Sequence, residues 1–545
     1  MPEETDAVTD LDLTLLERRV DALLEPFATV GGPGATIGVV LDGRLAVHRH
    51  AGLANIEHGV PIGPATRFRI ASVSKQFTCA AILMLAAEGK LSLEEEARSY
   101  LPELPALADR VTVAHLMHNT SGIRDMLEIM RHGGADLGTP IRLQDLVEGI
   151  CRQRTLNFAP GTRFLYSNSN FLLLGLIVER LTGTPLPEFL HTRIFAPLGM
   201  SETLMTPEVR QTIPNLATGY MPDGQGGWLR APHAFPLHGE GGLVSSVRDL
   251  ALWDRNFTTR RIGEGWLDGL TVQTPFTNAT VNRYARGLVV RPYRGLETAS
   301  HGGLWPGYRT EFLRVPGLEV TVIVISNNAA SDPSLLGHRA LDAVLETRPG
   351  VHPVPALPPK AELEPLAGTW LDPETGATLD IALPEKGGAT LSTHGLTVTA
   401  EATEDGRLAS PRGSSVFLVR RLEPDTVEVE QDAGARGIWQ RVPEGAALPA
   451  GLAGTYRSQE MAATWTVEEA GGKVFVRARG PVAHGQPWEV APIQGDHLRV
   501  IVPSPLFRAW LDVRVVREGE AITALEASGG RAKRVRYERI AEAVP

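Results

Sequence analysis

The chain has 545 residues, 43% hydrophobic and 21% charged, which is the size and balance of a globular protein with roughly two to four domains. Its net charge of −10 argues against nucleic acid or an anionic membrane surface as the main partner. Its two cysteines, Cys79 and Cys151, exclude a disulfide framework and a cysteine metal site, so we expect two buried, reduced thiols.

The first predicted element is an amphipathic helix in the stretch DLDLTLLERRVDALLEPF. Leu13, Leu16, Val20, Leu23 and Leu24 have the spacing of a face that points into a core. The acidic residues before it lack the apolar run of a signal peptide, and no stretch of the chain is long and apolar enough to span a membrane. We therefore expect a cytoplasmic protein.

Residues 35–328 mix helical and strand patterns. An alternating stretch that turns at Asp42-Gly43 predicts a hairpin. Helical patterns follow Arg69 and occupy Asn170–Gly183, and residues 298–328 return to strands. A hairpin at the start, helices in the middle and strands at the end predict one α+β domain, whose sheet is formed by both ends of the segment.

A change of pattern follows this domain. Five prolines between Pro349 and Pro359 predict a linker, and beyond them the helical period disappears. The sequence Leu-Ala-Gly-Thr-aromatic begins at Leu366 and again at Leu452, 86 residues later, and each copy precedes a strand, a glycine-bearing turn and another strand. This repeat predicts two tandem β-domains of one kind.

Ser72 and Lys75 stand three residues apart at the start of a predicted helix that ends at Gly89. Residues at this spacing share one helix face, so the amine can meet the hydroxyl. The helix dipole favours an alkoxide forming there, and a buried amine that loses its proton can serve as the base. The alternative is ordinary structure, in which Ser72 caps the helix and Lys75 is a common helix residue.

Two later motifs offer the other parts of a nucleophilic site. Tyr166-Ser167-Asn168 places a phenol that can exchange a proton beside an amide that can position a carbonyl. In His301-Gly302-Gly303, two glycines on a predicted strand let a substrate approach the backbone. Each motif taken alone is also typical of an ordinary turn.

Taken together, the three motifs resemble those of the penicillin-recognising serine hydrolases, which include class C β-lactamases, D,D-carboxypeptidases, esterases and D-stereospecific aminopeptidases. Ser72, Tyr166 and His301 follow the family's order, 94 and 135 residues apart. Within that superfamily the chain is most similar to the D-aminopeptidases, because of the stretch ASVSKQFTCA, a His-x-Gly triplet in place of Lys-Thr-Gly, and two β-domains after the first domain.

The resemblance implies a fold and a domain plan. It implies a β-lactamase or penicillin-binding-protein-like α+β catalytic domain followed by two antiparallel β-barrel domains, and a homodimer. The boundaries that we predict are 1–345 for the catalytic domain, 361–445 for the first barrel and 446–545 for the second.

The resemblance also implies acyl transfer on a small peptide or amino-acid amide, without metal or cofactor. Ser72 would attack the carbonyl of an N-terminal D-residue, and Lys75, coupled to Tyr166, would move the proton to the leaving amine. The backbone N–H groups of Ser72 and of Leu304, which follows Gly303, would hold the oxyanion. Asn168 would contact the substrate amide. Which of Lys75 and Tyr166 is the base stays open, since the two can titrate as a pair.

Two departures bear on specificity. Where β-lactamases have a lysine, His301 would be neutral, and we hypothesise that this avoids repelling the ammonium of an aminopeptidase substrate. In the D-aminopeptidases a loop of the last barrel is thought to bring an acidic residue to the active site. The matching stretch here, Arg499–Val513, looks shorter, and no acidic residue lies between Asp496 and Asp512.

Other functions remain open. The chain is also compatible with an esterase or a D-amino acid amidase on the same scaffold, and with a catalytically silent binding module. A D,D-carboxypeptidase fits less well because no signal peptide is seen. A metal hydrolase also fits less well, because His48 and His50 alternate on a predicted strand without a companion motif of zinc type.

Overall fold

A computed structural model describes residues 11–29, 31–106, 109–346, 348, 350–354, 356–385, 387–403, 405–410, 417–431, 435–502 and 509–540. They form two compact units, each described here by itself. The first unit comprises Met1–Glu95, Phe171–Thr274 and Arg283–Val354, and the second comprises Glu96–Asn170, Pro275–Asn282 and Pro355–Pro545.

The α-helices are α1 (Leu13–Leu24), α2 (Lys75–Ala87), α3 (Ala97–Tyr100), α4 (Val113–Met117), α5 (Met126–His132), α6 (Leu143–Cys151), α7 (Asn168–Thr182), α8 (Leu186–Leu190), α9 (Ala196–Leu198), α10 (Val247–Thr259), α11 (Pro333–Leu345) and α12 (Lys360–Leu363).

The strands before the proline-rich stretch are β1 (Ala35–Leu41), β2 (Arg44–Ala51), β3 (Leu53–Asn55), β4 (Val60–Pro61), β5 (Phe68–Arg69), β6 (Leu204–Met205), β7 (Tyr220–Pro222), β8 (Trp228–Arg230), β9 (Leu243–Ser245), β10 (Val289–Tyr293), β11 (Leu296–Trp305), β12 (Tyr308–Val315) and β13 (Val320–Ser326).

The strands after it are β14 (Gly368–Leu371), β15 (Thr378–Ala382), β16 (Thr390–Thr393), β17 (Leu396–Thr399), β18 (Glu401–Ala402), β19 (Leu408–Ala409), β20 (Phe417–Glu423), β21 (Thr426–Gln431), β22 (Ala435–Arg441), β23 (Gly454–Ser458), β24 (Ala463–Ala470), β25 (Lys473–Arg479), β26 (Trp488–Gln494), β27 (His497–Val502), β28 (Ala509–Glu518), β29 (Ala521–Ser528) and β30 (Val535–Ile540).

The main sheet of the first unit has six antiparallel strands in the order β10-β11-β12-β13-β1-β2. The predicted hairpin joins β1 and β2, with Asp42 and Gly43 both at positive φ, the conformation that two-residue hairpin turns require. Because β13 pairs with β1, both ends of the segment meet in one sheet, which confirms the prediction. Every residue of β1 and β13 is buried.

The amino-terminal helix packs on this sheet as predicted, with one error. Leu16, Val20 and Leu24 are buried in the core cluster that they share with α11. Leu13 is 45% exposed, so its prediction as a core residue is wrong. Leu11, which precedes the capping residue Asp12, packs against the cluster instead, as residues just before a helix cap often do.

The second unit contains the two predicted β-domains. The first is a nine-stranded antiparallel sheet in the order β17-β16-β15-β14-β22-β21-β20-β19-β18, and the second is a closed eight-stranded barrel formed by β23 to β30. The prediction of two tandem β-domains is therefore confirmed.

The sequence repeat marks the same local structure in both β-domains. The Trp370 indole N–H donates to the Leu366 carbonyl at 2.8 Å, and the Tyr456 hydroxyl donates to the Leu452 carbonyl at 2.8 Å. Both rings are fully buried. An arginine guanidinium lies over each ring and donates to the turn before it. In both copies of the repeat, a buried aromatic residue thus hydrogen-bonds to the backbone just before its strand and fixes where the chain enters the sheet.

The last barrel is bonded to the helical segment of its own unit through His132, at the end of α5. The His132 carbonyl accepts from the Trp465 indole at 2.9 Å, and His132 Nδ1 lies 3.0 Å from the Tyr537 hydroxyl. Both aromatic rings stack on the imidazole. Burial, followed by the nearby charges of Arg124 and Arg131, lowers the pKa of His132 to about 3.

This lowered pKa predicts acid sensitivity. Between pH 6.5 and about 3 the unfolded chain binds a proton at this histidine that the folded chain excludes, so the free energy of unfolding falls with falling pH by up to about 1.4 kcal/mol per pH unit. We expect urea unfolding, followed by tryptophan fluorescence, to show a shallower pH dependence for His132→Gln. The matched control is His484→Gln, an exposed histidine of the same barrel. Equal slopes for His132→Gln and the unaltered protein would contradict this assignment.

A buried ion pair also joins the last barrel to this segment. The Arg124 guanidinium, whose side chain is 2% exposed, donates to Glu460 at 2.6 Å. Removing one partner leaves a buried charge uncompensated, so we expect Glu460→Ala to lower the free energy of unfolding by about 3 kcal/mol. Glu468→Ala breaks an exposed pair with Arg477 on the same barrel and should cost less than about 1 kcal/mol. Equal costs in urea unfolding would refute the distinction.

Among the described residues, none of the helices has the length and apolar character needed to cross a bilayer.

Cys79 is buried and Cys151 is half-buried, and both are free thiols. Burial raises the pKa of each, that of Cys151 to about 11, so neither is poised to react as a thiolate.

Candidate active site

Ser72 lies in the short 3₁₀ turn Ala71–Ser74 that leads into α2. The residue before it, Ala71, has a φ of +48°, a backbone conformation that costs an alanine about 1 kcal/mol or more and that tends to occur at functional sites. The helix begins only at Lys75 with Ser74 in the capping position, where no side-chain cap bond forms. Ser72 is therefore not the cap of α2, and the alternative that this serine caps the helix is wrong.

Lys75 places its amine against the Ser72 hydroxyl. Its Nζ donates to Ser72 Oγ at 3.0 Å and to the Glu240 carbonyl oxygen at 2.6 Å, and it lies 5.2 Å from the centre of the Phe171 ring. The side chain has no solvent exposure. Burial disfavours the charged form of an amine, and the neutral form can accept a hydroxyl proton.

The side chain of Glu240 is enclosed beside this amine. One carboxyl oxygen accepts the His238 backbone N–H at 2.9 Å, and the residue is 2% exposed. Burial raises the pKa of the Glu240 carboxyl, although the charge of Lys75 is among the groups that oppose the shift. A raised pKa makes a carboxyl harder to ionise, so burial weakens Glu240 as a counter-charge for the Lys75 amine.

His301 lies on β11 as a neutral imidazole. Its Nδ1 is 2.7 Å from the Gly302 carbonyl, which can only accept, so Nδ1 carries the proton. Its Nε2 then accepts from the Tyr284 hydroxyl at 2.9 Å. Burial, followed by the charge of Lys75, lowers the pKa of His301 to about 3, so the ring is uncharged at neutral pH.

Gly303 brings β11 against the turn that carries Ser72. A Cβ at this position would lie 2.3 Å from the Ile70 carbonyl oxygen, so no side chain fits there without a shift of the backbone. Leu304 follows, paired with Arg309 of β12, and its side chain is 44% exposed. The strand thus passes close to the turn that carries Ser72, a placement that an oxyanion site would require.

Tyr166 and Asn168 belong to the second unit. Tyr166 is 4% exposed, and the guanidinium of Arg531 lies 4.5 Å from the centre of its ring. The backbone N–H of Asn168, at the start of α7, donates to the buried Asp125 carboxylate at 2.7 Å. The first unit therefore brings together Ser72, Lys75, His301 and Gly303, and the second holds the Tyr-x-Asn motif.

The predicted specificity loop, Arg499–Val513, lies in part outside the described residues, which omit 503–508. Asp496, which precedes this stretch, and Asp512, near its end, both have hydrogen-bond partners. Asp496 accepts from Arg517 at 3.0 Å, and Asp512 accepts the Thr378 backbone N–H and hydroxyl, each at 2.9 Å. Burial raises the pKa of Asp512 to about 6.

Several groups that contact the predicted site residues could not be predicted from the sequence. The Glu240 acceptor is a backbone carbonyl, which has no signature in the letters of the chain. Tyr284 and Phe171 look like core aromatics, and only the fold shows that they contact His301 and Lys75. Arg531 has one indirect signal, since it lies in a short basic, glycine-rich stretch, SGGRAKR, in the last domain.

Comparisons with known proteins agree with this architecture. A family profile described as Beta-lactamase matches residues 17–346, more than half of the chain, and one described as D-aminopeptidase, domain B, matches residues 360–505. A D-aminopeptidase of Gluconobacter oxydans is 30% identical over 536 residues, covering 96% of this chain and 98% of its own length. A D-aminopeptidase of Cereibacter sphaeroides is 29% identical, covering 97% and 100%.

Solved structures give the same result for the fold. The D-amino acid amidase from Ochrobactrum anthropi SV3 is 26% identical with a TM-score of 0.52, covering 61% of this chain and 99% of its own. An octameric penicillin-binding protein homologue from Pyrococcus abyssi has a TM-score of 0.56 at 22% identity, covering 79% and 100%, and supports the fold alone. The chain therefore belongs to the β-lactamase family and, within it, to the D-aminopeptidases.

Proposed function

We propose that this protein is a serine hydrolase that releases N-terminal D-amino acids from peptides, amides or esters through an acyl-enzyme on Ser72. The observation that carries the proposal is the contact of 3.0 Å between Lys75 Nζ and Ser72 Oγ, made by a lysine without solvent exposure. The preference for D-residues is supported by the full-length similarity to D-aminopeptidases.

The proposed reaction has two stages. Ser72 Oγ forms a bond to the substrate carbonyl carbon while its proton passes to the neutral Lys75 amine, and the backbone N–H groups of Ser72 and Leu304 bind the oxyanion. Lys75 then gives that proton to the leaving amine as the C–N bond breaks. A water molecule attacks the acyl-enzyme, its proton returns through the same groups, and the free D-amino acid leaves with Ser72 restored.

The proposal assigns two further roles from the Tyr-x-Asn motif. Tyr166 shares the proton transfer with Lys75, and Asn168 contacts the substrate amide. His301 and Gly303 form the side of the site that lies on β11. The neutral imidazole of His301 does not repel the substrate ammonium. These assignments rest on the order and spacing of the motifs and on the family to which the chain belongs.

A D-amino acid amidase is the second candidate, favoured by the similarity to the Ochrobactrum enzyme over 61% of the chain. It uses the same nucleophile and differs only in the leaving group. An esterase differs in the same way.

The test compares D-Ala-p-nitroanilide with L-Ala-p-nitroanilide, D-phenylalanine amide and p-nitrophenyl acetate. We expect turnover of the D-anilide at least about 100-fold faster than of its L-isomer. Turnover of the amide but not the anilide would assign the chain as an amidase, and ester cleavage alone would assign it as an esterase. Hydrolysis of neither D-substrate would refute the proposal.

The domain boundaries at 345, 361 and 446, the homodimer and the cytoplasmic location belong to the same proposal. Light scattering of the purified protein tests the dimer, and fractionation of the producing cells tests the location.

A further inference from the structure

A turn of the last barrel contacts the residues around the Tyr-x-Asn motif. This turn, Gly529–Arg534, connects β29 to β30. Its Arg531 carbonyl accepts the Asp125 backbone N–H at 3.2 Å and the Asn157 side-chain amide at 3.3 Å. The Lys533 backbone N–H donates to the Asn157 side-chain oxygen at 2.7 Å. These backbone contacts fix where the turn lies and therefore where the Arg531 side chain starts.

The Arg531 side chain covers the ring of Tyr166. Its guanidinium carbon is 4.5 Å from the ring centroid, within the distance at which a cation is attracted to an aromatic face. The tyrosine is 4% exposed, whereas the Arg531 side chain is 37% exposed. The guanidinium is thus held on the tyrosine while part of it stays in water, which keeps the cost of placing a charge there low.

The Asp125 carboxylate links this guanidinium to Asn168. Its Oδ2 accepts the Asn168 backbone N–H at 2.7 Å and lies 3.8 Å from the Arg531 guanidinium. Asp125 is fully buried, so its charge needs compensation from close by. Arg531 therefore contacts the Tyr166 ring directly and is linked to the Asn168 backbone through the Asp125 carboxylate.

A cation at this position has a chemical consequence for a tyrosine that exchanges a proton. When a phenol gives up its proton, negative charge spreads over its oxygen and ring, and an adjacent positive charge stabilises that form. Lys533, another cation of the turn, directs its amine to the His394 ring at 3.2 Å. Arg531 is the member of the turn that lies on Tyr166.

We propose that Arg531 is a positioning residue for Tyr166: it holds the phenol ring and stabilises the negative charge that the phenol acquires during acyl transfer. The last barrel then supplies part of the proton-transfer machinery, through a turn that is separate from the stretch Arg499–Val513. This inference rests on the proposed function, since it needs Tyr166 to take part in the reaction.

The test measures kcat and KM for D-Ala-p-nitroanilide in Arg531→Met and Arg531→Lys. Loss of the cation should lower kcat about 10-fold to 100-fold and change KM by less than about 3-fold, while lysine should restore most of the rate. Arg536→Met is the matched control, a 44% exposed arginine of β30 that pairs with Glu526 and Glu538. It should leave both constants unchanged. Unaltered kcat in Arg531→Met would overturn the inference.

A double-mutant cycle distinguishes action through Tyr166 from general support of the fold. In a Tyr166→Phe background, Arg531→Met should change kcat by less than about 2-fold, because the hydroxyl that it serves is gone. A loss equal to that in the unaltered protein would overturn the inference. Should Arg531→Met fail to fold, Arg531→Gln removes the charge while keeping a planar polar group, and the same outcomes apply.

Two measurements on the unaltered protein separate the role of Arg531 from the proposed function. Labelling of Ser72 by a fluorophosphonate and turnover of the D-anilide by the unaltered protein test the proposed function. If both succeed and the Arg531 variants match the unaltered protein, only the role of Arg531 is refuted. If the unaltered protein is neither labelled nor active, the proposed function fails first, and the inference falls with it.

Discussion

Replacement of Ser72 by alanine is expected to lower kcat for D-Ala-p-nitroanilide by about 10⁴-fold or more and to abolish covalent labelling by a fluorophosphonate. The hydroxyl is the atom that bonds to the substrate carbonyl, and a site without its nucleophile retains only binding and oxyanion stabilisation. Because Lys75 keeps its bond to the Glu240 carbonyl, the variant should fold and melt like the unaltered protein.

Two controls make this result specific. Ser334→Ala removes a partly exposed serine at the start of α11 and should leave labelling and kcat unchanged. Mass spectrometry of the labelled protein should find the phosphonyl group on the peptide that carries Ser72. Labelling that persists in Ser72→Ala, or turnover of the D-anilide within 10-fold of the original, would exclude Ser72 as the nucleophile.

Replacement of His301 by lysine should reduce kcat/KM for D-Ala-p-nitroanilide by about 100-fold. The buried imidazole is neutral, and an ammonium in its place would face both Lys75 and the substrate ammonium. At a separation of about 5 Å and an effective dielectric constant of about 20, two unit charges repel by about 3 kcal/mol, which is about a 100-fold change in rate or affinity.

A substrate without an ammonium separates the two repulsions, with Lys75 and with the substrate. p-Nitrophenyl acetate has no ammonium, so the ratio of kcat/KM for the anilide to that for the ester should fall about 10-fold or more in His301→Lys. His58→Lys places the same charge at an exposed histidine of the same unit and should leave the ratio unchanged. An equal loss for both substrates would mean that the cation acts on Lys75 alone, and our explanation of the His-x-Gly triplet would be wrong.

Parts of the fold follow from local rules that the sequence displays. The helix α2 ends at Ala87, just before Gly89, and the hairpin turns at Asp42-Gly43. In both places a glycine adopts positive φ at little cost, which is why the sequence predicts where the chain turns. The two β-domains were predictable because Trp370 and Tyr456 occupy the same position in the two copies of the repeat and make the same hydrogen bond.

Other features depend on contacts between residues far apart in the chain. Lys75 binds a carbonyl 165 residues away, and any residue could have supplied that oxygen. The proton on His301 Nδ1 is assigned only by the Gly302 carbonyl and the Tyr284 hydroxyl. Arg531 lies on Tyr166 because the fold of the closed barrel places its turn there. No pattern in the sequence around either residue predicts this contact.

The bonds that His132 and Arg124 make to the last barrel have a consequence for engineering a smaller protein. A chain cut after residue 346, where the β-lactamase profile ends, would lose the partners of both residues. The cut would expose the carbonyl of His132 and leave the Arg124 guanidinium without its carboxylate, in the same segment that carries the Tyr-x-Asn motif. A minimal version of this protein therefore has to redesign that segment as well as shorten the chain.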